Sequence, residues 1–370
     1  MKRGVFSLKI GVLILEMIFI ILNSSVYAGW TPVSLPYVSP LWTLTSIHFT
    51  SSDEGWAVGY DLVYKQGVLL HYSSGSWTIP SLPYINSNWG LSSVHFPSSD
   101  EGWAVGTDGT NKKGFLFHYS SGSWRSITPP NINPPPPADS NTSPEPEPSW
   151  ELASVHFTSS GEGWAVGTDV ENKKGVLLYC SSSSWTSTTP PDVSSDWRLA
   201  GVHFTSSDEG WGVGMDNKNG KGVLLHYLNG TWTVISPPYV SPLWRLTSVY
   251  FTSANEGWAV GADPVRRQGV LLQYSSGTWT VITPPYVSTW WLLTGVHFIS
   301  SDEGWAVGYD VSGRRGVLLY YSSGTWTEVT PPTVSSMWRL LSVHFISSSE
   351  GYTVGTDGKN RSGVSLKYSP

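Results

Sequence analysis

Short hydrophobic runs alternate with turn-forming residues along the whole chain after residue 28. In the first unit the runs cover Leu44–Thr50, Trp56–Gly59, Gly67–Tyr72 and Ser76–Ile79, and Gly, Ser, Asp or Pro residues separate them. Runs rich in β-branched and aromatic residues with such boundaries are typical of β-strands. No window after residue 28 has the periodicity of an amphipathic helix. The pattern predicts four strands per unit and an all-β fold.

The unit of four runs recurs seven times, and five of the six steps between successive units are 47 residues long. The opening tryptophans are Trp42, Trp89, Trp150, Trp197, Trp244, Trp291 and Trp338. The longer step is 61 residues, and its extra 14 residues fall within a Pro-rich stretch at 131–149 that we expect to be an extended surface loop. Four strands per unit, repeated seven times, predict a seven-bladed β-propeller.

The phase of a second tryptophan predicts how the ring closes. This tryptophan recurs from Trp77 to Trp326, and its seventh copy would fall at position 373, beyond Pro370. Trp30 lies 47 residues before Trp77 and is therefore in phase. We expect the N-terminal strand to complete the last blade, which removes the free sheet edges of an open array.

The first 28 residues have the features of an export signal. Lys2 and Arg3 precede an apolar run from Ile10 to Leu22, and Val26-Tyr27-Ala28 offers small residues at the two positions that a signal peptidase reads. This predicts a signal peptide at 1–28, cleavage after Ala28, and a secreted or periplasmic propeller at 29–370 with no stable membrane span. The alternative is an uncleaved anchor, although the run is short for a spanning helix.

Composition narrows the possible functions. The single Cys excludes a disulfide framework and a Cys-based zinc site. The formal charge of −6 argues against general nucleic-acid binding, which needs a basic surface.

The repeat resembles that of a known family. The string Asp-Glu-Gly-Trp-Ala-Val-Gly at 53–59, followed by a Gly-hydrophobic strand and a Trp-Thr pair, is similar to the repeat of the photosystem II assembly-factor propellers, which belong with the bacterial neuraminidase, or Asp-box, repeats. The turn at 73–77 reads Ser-Ser-Gly-Ser-Trp and lacks the aspartate of the Asp-box consensus. The resemblance implies a propeller fold over the whole chain after residue 28.

Several polar residues recur in every unit. They are Glu54, Glu101, Glu162, Glu209, Glu256, Glu303 and Glu350 in the first turn, Asp61, Asp108, Asp169, Asp216, Asp263, Asp310 and Asp357 after the Val-Gly pair, and His48, His95, His156, His203, His297 and His344 in the first strand, where Tyr250 replaces the histidine once. A residue needed by every blade usually has a structural role. We expect the acids to cap turn amides and the histidines to satisfy partly buried polar contacts. We therefore predict no metal and no cofactor.

Catalysis is not expected either, because an active site needs one asymmetric cluster of nucleophile, base and orienting group. The chain departs from its repeat at few positions, among them Cys180 in place of Tyr, Gly161 in place of Asp, and Trp290 beside Trp291. None of these supplies an acid–base pair, and Cys180 is most simply a packed residue.

The charges are distributed unequally between the turns. The strand 2–3 turns hold 13 of the 18 Lys and Arg residues after residue 28 and have a net charge of +5, whereas the strand 1–2 turns have a net charge of −11. Alternate turns of an up-and-down blade lie on opposite faces, so the disc should be electrically two-sided. The predicted ligand face contains Lys112, Lys113, Lys173, Lys174, Arg266, Arg267, Arg314, Arg315, Tyr239, Tyr286 and Trp290.

These observations predict an exported, non-catalytic binding or scaffold propeller that engages a protein partner or an anionic ligand through one face. The alternatives are a secreted multivalent glycan-binding lectin and an assembly factor for a membrane or periplasmic complex.

Overall fold

The computed structural model describes residues 29–132 and 149–370 of the 370-residue chain. These residues form seven four-stranded antiparallel sheets arranged as the blades of a β-propeller. The predicted fold is therefore confirmed. The predicted signal peptide at 1–28 and most of the Pro-rich insertion lie outside the described residues. Within the described ranges, no helix is long and apolar enough to cross a membrane.

The strands match the predicted runs, with boundaries that differ by a few residues. They are β1 (Trp30–Pro32), β2 (Trp42–Ser51), β3 (Glu54–Asp61), β4 (Gln66–Ser73), β5 (Ser76–Thr78), β6 (Trp89–Ser98), β7 (Glu101–Asp108), β8 (Lys113–Ser120), β9 (Ser123–Ile127), β10 (Trp150–Ser159), β11 (Glu162–Asp169), β12 (Lys174–Ser181), β13 (Ser184–Thr188), β14 (Trp197–Phe204), β15 (Glu209–Asp216), β16 (Lys221–Leu228), β17 (Thr231–Ile235), β18 (Arg245–Ser253), β19 (Glu256–Asp263), β20 (Gln268–Ser275), β21 (Thr278–Ile282), β22 (Trp291–Ser300), β23 (Glu303–Asp310), β24 (Arg315–Ser322), β25 (Thr325–Val329), β26 (Trp338–Ser347), β27 (Glu350–Asp357) and β28 (Ser362–Tyr368).

The ring closes where the tryptophan phase predicts. Strand β1 pairs antiparallel with β28, so that Trp30 lies opposite Tyr368 in the blade formed by β26, β27 and β28. The Trp30 ring is buried and meets Trp305 of the preceding blade edge-on, with ring centres 5.3 Å apart. The outer strand of this blade therefore comes from the N-terminal side of the propeller.

The core lies between the blades. The seven hydrophobic clusters include residues from neighbouring blades. In each, the ring from a second strand stacks on the inner-strand Phe of the next blade, as Trp56 does on Phe96 with ring centres 5.1 Å apart and planes 4° from parallel. Aromatic rings bury large apolar areas, so the abundance of Trp in the chain is explained by this repeated contact.

A glycine at the start of each third strand makes room for the next opening tryptophan. A Cβ atom added to Gly67 would lie 2.1 Å from the Trp89 ring, and one added to Gly316 would lie 2.4 Å from the Trp338 ring. Such distances are too short for any side chain. The glycine and the tryptophan of successive units are therefore a matched pair.

Candidate functional site

One face of the disc is built from the strand 2–3 loops and the links between blades. In blade 1, Asp61 closes the loop by accepting hydrogen bonds from the backbone N–H groups of Val63 and Tyr64 at 2.7 and 3.0 Å. The loop also bonds to the link, because the N–H of Leu62 donates to the carbonyl of Leu41. The predicted capping role of the aspartates is thus confirmed in this loop. We call this surface, formed by the strand 2–3 loops and the blade links, the loop face.

In blade 2 the same arrangement affects the acidity of the capping group. Burial favours the neutral form of Asp108, but hydrogen bonds from Asn111 and from the loop amides lower the pKa of this carboxyl below its usual value. The carboxylate charge is therefore held inside the loop.

The last residue of each loop docks the next blade. Its carbonyl accepts a hydrogen bond from the N–H of the following opening tryptophan, as Lys65 does from Trp89 at 2.9 Å and Arg314 does from Trp338 at 3.0 Å. In blade 4 this residue is Gly220, with φ of 67°. In the other blades it is a cation in the same left-handed conformation, with φ between 54° and 61°: Lys65, Lys112, Lys173, Arg267, Arg314 and Arg361.

These six cations are exposed, whereas the aspartates of the same loops are buried. A left-handed backbone favours glycine, and asparagine or aspartate after it. Lysine and arginine are therefore not the residues that the backbone conformation itself selects. The loop face presents a ring of positive side chains above acids that are held inside the loops.

Most of the predicted ligand-face residues lie on this surface with their side chains exposed, including Lys112, Lys173, Lys174, Arg267 and Arg314. Tyr239 and Tyr286 are about three-quarters exposed, at 75% and 77%. The link that holds Tyr286 contacts the loop of the blade that follows it, because the Ser288 hydroxyl donates to Asp310 at 2.6 Å.

Several of the predicted cations, together with Trp290, have local partners, and one of them is Lys173, whose Nζ lies 3.9 Å from the Asp196 carboxylate. Arg315 bridges Asp310 and Glu328, with the shorter N–O distance 2.7 Å. Arg266 lies 3.9 Å from the Asp263 carboxylate. The guanidinium of Arg267 sits over the Trp290 ring at 5.7 Å from its centre. Because of its two ion pairs, Arg315 is held within its own blade. Lys113 is half-buried.

Three further cations belong to the loop face and were missed in the sequence. Arg198, Arg245 and Arg339 follow the opening tryptophans, and therefore lie where the inner strands leave this face. Arg339 covers the ring of Tyr309 in the preceding blade at 6.0 Å. The available signal was the variable residue of the W-x-L motif, which is cationic in three of the seven units.

The opposite face carries the acidic strand 1–2 turns. Its turns also pair with each other, since the N–H of Ser74 donates to the carbonyl of Asp53. The expectation that the glutamates cap turn amides is wrong for those whose contacts are seen. Glu54 pairs with His71 at 2.6 Å and Glu350 pairs with Lys367 at 2.7 Å, because the glutamate opens a strand and faces the third strand across the sheet. Asp53, Asp100, Asp208 and Asp302 remain exposed.

The inner-strand histidines and Tyr250 form a closed ring around the central channel. Each aromatic ring contacts those of both neighbouring blades, with centres 4.4 to 4.6 Å apart. Neighbouring planes are inclined by 45° to 55°, close to the rotation of about 51° between blades of a seven-bladed propeller. The rings therefore stand parallel to the channel axis.

The Nδ1 atoms of the ring histidines have few polar partners. The Nδ1 atom of His95 accepts a hydrogen bond from the N–H of Phe157 at 3.3 Å. The Nδ1 atoms of His48, His156, His203, His297 and His344 are buried with no hydrogen-bond partner among the described atoms. At Nδ1 the expected polar contact is therefore seen for His95, and it is not seen for the other five described histidines of the ring.

Burial disfavours the charged form of the ring histidines. It lowers the pKa of His156 and of His344 to about 4. At His48 burial acts first, and repulsion from the charged forms of His344 and His156 lowers the pKa further.

The geometry of the ring does not suit one metal ion on the axis. The spacing places each ring centre about 5 Å from the axis, and a zinc–imidazole bond is about 2 Å long. Among the described residues, no group of three His, Cys, Asp or Glu side chains has metal-binding geometry. Cys180 is fully buried in an interblade cluster, as predicted, and burial raises the pKa of its thiol to about 12.

No family model matches the chain, and no curated protein matches it. Solved structures share the fold. YCF48 from Cyanidioschyzon merolae superposes with a TM-score of 0.63 at 18% identity, covering 93% of this chain and 99% of that one. A catalytically inactive virginiamycin B lyase from Staphylococcus aureus, solved with quinupristin, gives 0.61 at 11% identity, with 92% and 99% covered.

A xyloglucanase from Xanthomonas campestris gives a TM-score of 0.59 at 11% identity, covering 90% of this chain and 55% of that one. These likenesses establish a β-propeller. Because named enzymes are among them, the fold by itself is compatible with both catalysis and binding.

Proposed function

We propose that this protein is an exported, non-catalytic binding propeller whose loop face engages an anionic ligand or an acidic surface of a protein partner. The observation that carries the proposal is the left-handed loop position. Six of its seven occupants are exposed cations, although glycine suits that backbone and is used in blade 4. A cation repeated at a position where the backbone favours another residue is best explained by a role of its side chain.

The charge arrangement supports the same conclusion. The cations are exposed around the ring, while Asp61 and its equivalents are buried and bonded to loop amides. Arg198, Arg245 and Arg339 extend the positive surface inward from the loops. Clustered charge of one sign raises the local concentration of an oppositely charged ligand and speeds its association.

The test replaces the loop cations with the residue that blade 4 already uses. Lys112→Gly, Lys173→Gly, Arg267→Gly and Arg314→Gly together should preserve thermal stability, because glycine relieves a conformation that costs other residues about 1 kcal/mol or more. Binding to heparin and to poly-glutamate, measured by calorimetry at several salt concentrations, should fall at least about tenfold, with a shallower salt dependence.

A matched control changes the same number of charges on the opposite face. Asp53→Asn, Asp100→Asn, Asp208→Asn and Asp302→Asn raise the net charge but leave the loop face intact. They should alter affinity much less than the glycine variant does. The proposal is wrong if the glycine variant binds polyanions as well as the parent, or if the parent binds none.

A further inference from the structure

A groove crosses the loop face at the junction of blades 1 and 2. Its inner part is a cavity of about 550 Å³ that reaches the channel residues Thr45 and Ser92. Its outer part is a cavity of about 360 Å³ toward the rim. The two parts share Asp61 and Trp89 as lining residues, and together they extend from the channel mouth to the rim.

The outer part of the groove departs from the repeat at Tyr64. In four other blades this position is an asparagine whose amide donates to the capping aspartate at 2.7 Å: Asn111, Asn172, Asn219 and Asn360. Tyr64 gives up that bond and leaves 61% of its surface exposed. Among the described contacts the Tyr64 side chain makes no hydrogen bond in exchange, so its exposed ring is available to a ligand.

The inner part departs from the repeat at Gly90. At the junction of blades 6 and 7 the equivalent residue is Arg339, and its guanidinium covers Tyr309. At the junction of blades 1 and 2, Gly90 has no side chain to cover the equivalent Tyr60, and both residues line the open cavity. Gly90 is the one residue after an opening tryptophan that has no side chain, so nothing from this position covers Tyr60 and the cavity stays open there.

The lining suits a particular ligand chemistry. Tyr64 and Tyr84, the latter 81% exposed, offer aromatic faces beside Pro80 and Pro83 in the outer part. Asn88, Thr107 and Lys65 contribute amide, hydroxyl and ammonium groups in the inner part. Sugar rings present apolar faces that stack on aromatic side chains and hydroxyls that bond to amides and hydroxyls.

We infer that the groove between blades 1 and 2 binds a neutral oligosaccharide, with Tyr64 and Tyr84 stacking on sugar rings and Asn88 and Thr107 bonding to hydroxyls. This inference goes beyond the proposed polyanion site. The junction has one loop cation, Lys65, followed by Gln66, where blade 2 has Lys112 and Lys113.

The experiment measures binding of cellohexaose, xylohexaose, laminarihexaose and chitohexaose by calorimetry. At least one of these hexasaccharides should bind to the parent protein. Tyr64→Asn restores the repeat residue, and Gly90→Arg installs the covering side chain that blade 7 already uses. Tyr64→Asn should fold like the parent. A Cβ at Gly90 would lie 3.1 Å from that of Tyr60, so Gly90→Arg needs a small shift of the tyrosine, and a parental melting temperature checks that it folds. Each variant should weaken binding by about tenfold or more, since each removes one part of the contact.

The matched control is Leu228→Ser, which removes an exposed apolar side chain on the opposite face of the disc and copies the residue of other blades, Ser181 and Ser275. It should leave oligosaccharide binding unchanged. The inference is overturned if no hexasaccharide binds, or if Tyr64→Asn and Gly90→Arg bind like the parent. It is also overturned if a proline-rich peptide, and none of the sugars, binds at Tyr64. None of these results depends on heparin binding, so this test and the polyanion test fail separately.

Discussion

At the scale of single residues, the channel histidines show how position determines ionisation. Nothing in the sequence distinguishes these histidines from ordinary ones. In the folded protein each lies between two aromatic neighbours in the ring, which bury its Nδ1 atom. Burial is the main reason that the pKa of every ring histidine is lowered from 6.5. The charged form is therefore disfavoured in the folded protein and is free to form in the unfolded chain.

This difference predicts acid lability. Below pH 6.5 the histidines of the unfolded chain bind protons, whereas those of the folded ring do not until the pH reaches their lowered pKa. The free energy of unfolding should therefore fall by up to about 1.4 kcal/mol per pH unit for each histidine over that range. For His156 and His344 that limit is near pH 4. Denaturant unfolding at pH 7.5, 6.5, 5.5 and 4.5 measures the effect.

A control for the acid effect copies the residue of blade 5. His156→Tyr and His344→Tyr should have little effect at pH 7.5, because Tyr250 already fills an equivalent place in the ring. At pH 5.5 the double variant should be more stable than the parent. Equal pH slopes for the two proteins would show that the histidines do not limit stability in acid.

At the scale of elements, each blade is fixed to the next by a pair of residues from successive units. The glycine at the start of a third strand lies under the opening tryptophan of the following blade, and the loop carbonyl accepts that tryptophan's N–H. The repeat thus encodes the interface between blades as well as the blade itself. The glycine and the tryptophan belong to different units of the sequence, and in the folded protein they contact each other.

Gly316→Ala should consequently loosen one interface. The added methyl would overlap the Trp338 ring at 2.4 Å, and overpacking of this kind costs about 1–3 kcal/mol. Thermal unfolding followed by near-ultraviolet circular dichroism measures the loss. Ser312→Ala, an exposed position in the neighbouring loop, is the control and should melt within a degree or two of the parent. A parental melting temperature for Gly316→Ala would mean that the Trp338 ring moves aside at no cost.

At the scale of the whole molecule, stability depends on closing the ring. Trp30 belongs to a cluster with Trp305, Trp338 and Phe345, and its short strand covers the edge of β28. Every blade then has two neighbours, and no interblade cluster is left open. Closure explains how a disc of seven small sheets behaves as one unit without a disulfide.

Trp30→Ala should therefore cost about 3–5 kcal/mol, the usual loss for a buried tryptophan. Removing residues 29–36 should be more severe, because it also exposes the edge of β28 to aggregation. Appending a Gly-Thr-Trp-Thr-Val strand after Pro370 should rescue the truncated chain, since the same blade is then completed from its other end. Scanning calorimetry and light scattering report both effects. A truncated chain that melts like the parent would contradict closure by Trp30.

The sequence by itself determined the blade number, the four strands of each blade and the closing strand. Hydrophobic runs, turn residues and the phase of the tryptophans are local signals, and seven repetitions of each remove the ambiguity of any single one. The face that carries the cations also followed, because alternate turns of an antiparallel blade must lie on opposite sides.

The tertiary structure decided the features that depend on contacts between strands and between blades. The histidines meet only because the inner strands stand close enough around the axis for their rings to touch. Glu54 turned out to face His71 across the sheet, and the left-handed loop position of Lys65 is set by its docking on Trp89. The groove at Gly90 arises from a missing side chain whose place is visible only beside Arg339 and Tyr309. Such features depend on distances between residues that lie 17 or more positions apart in sequence, and periodicity carries no information on those distances.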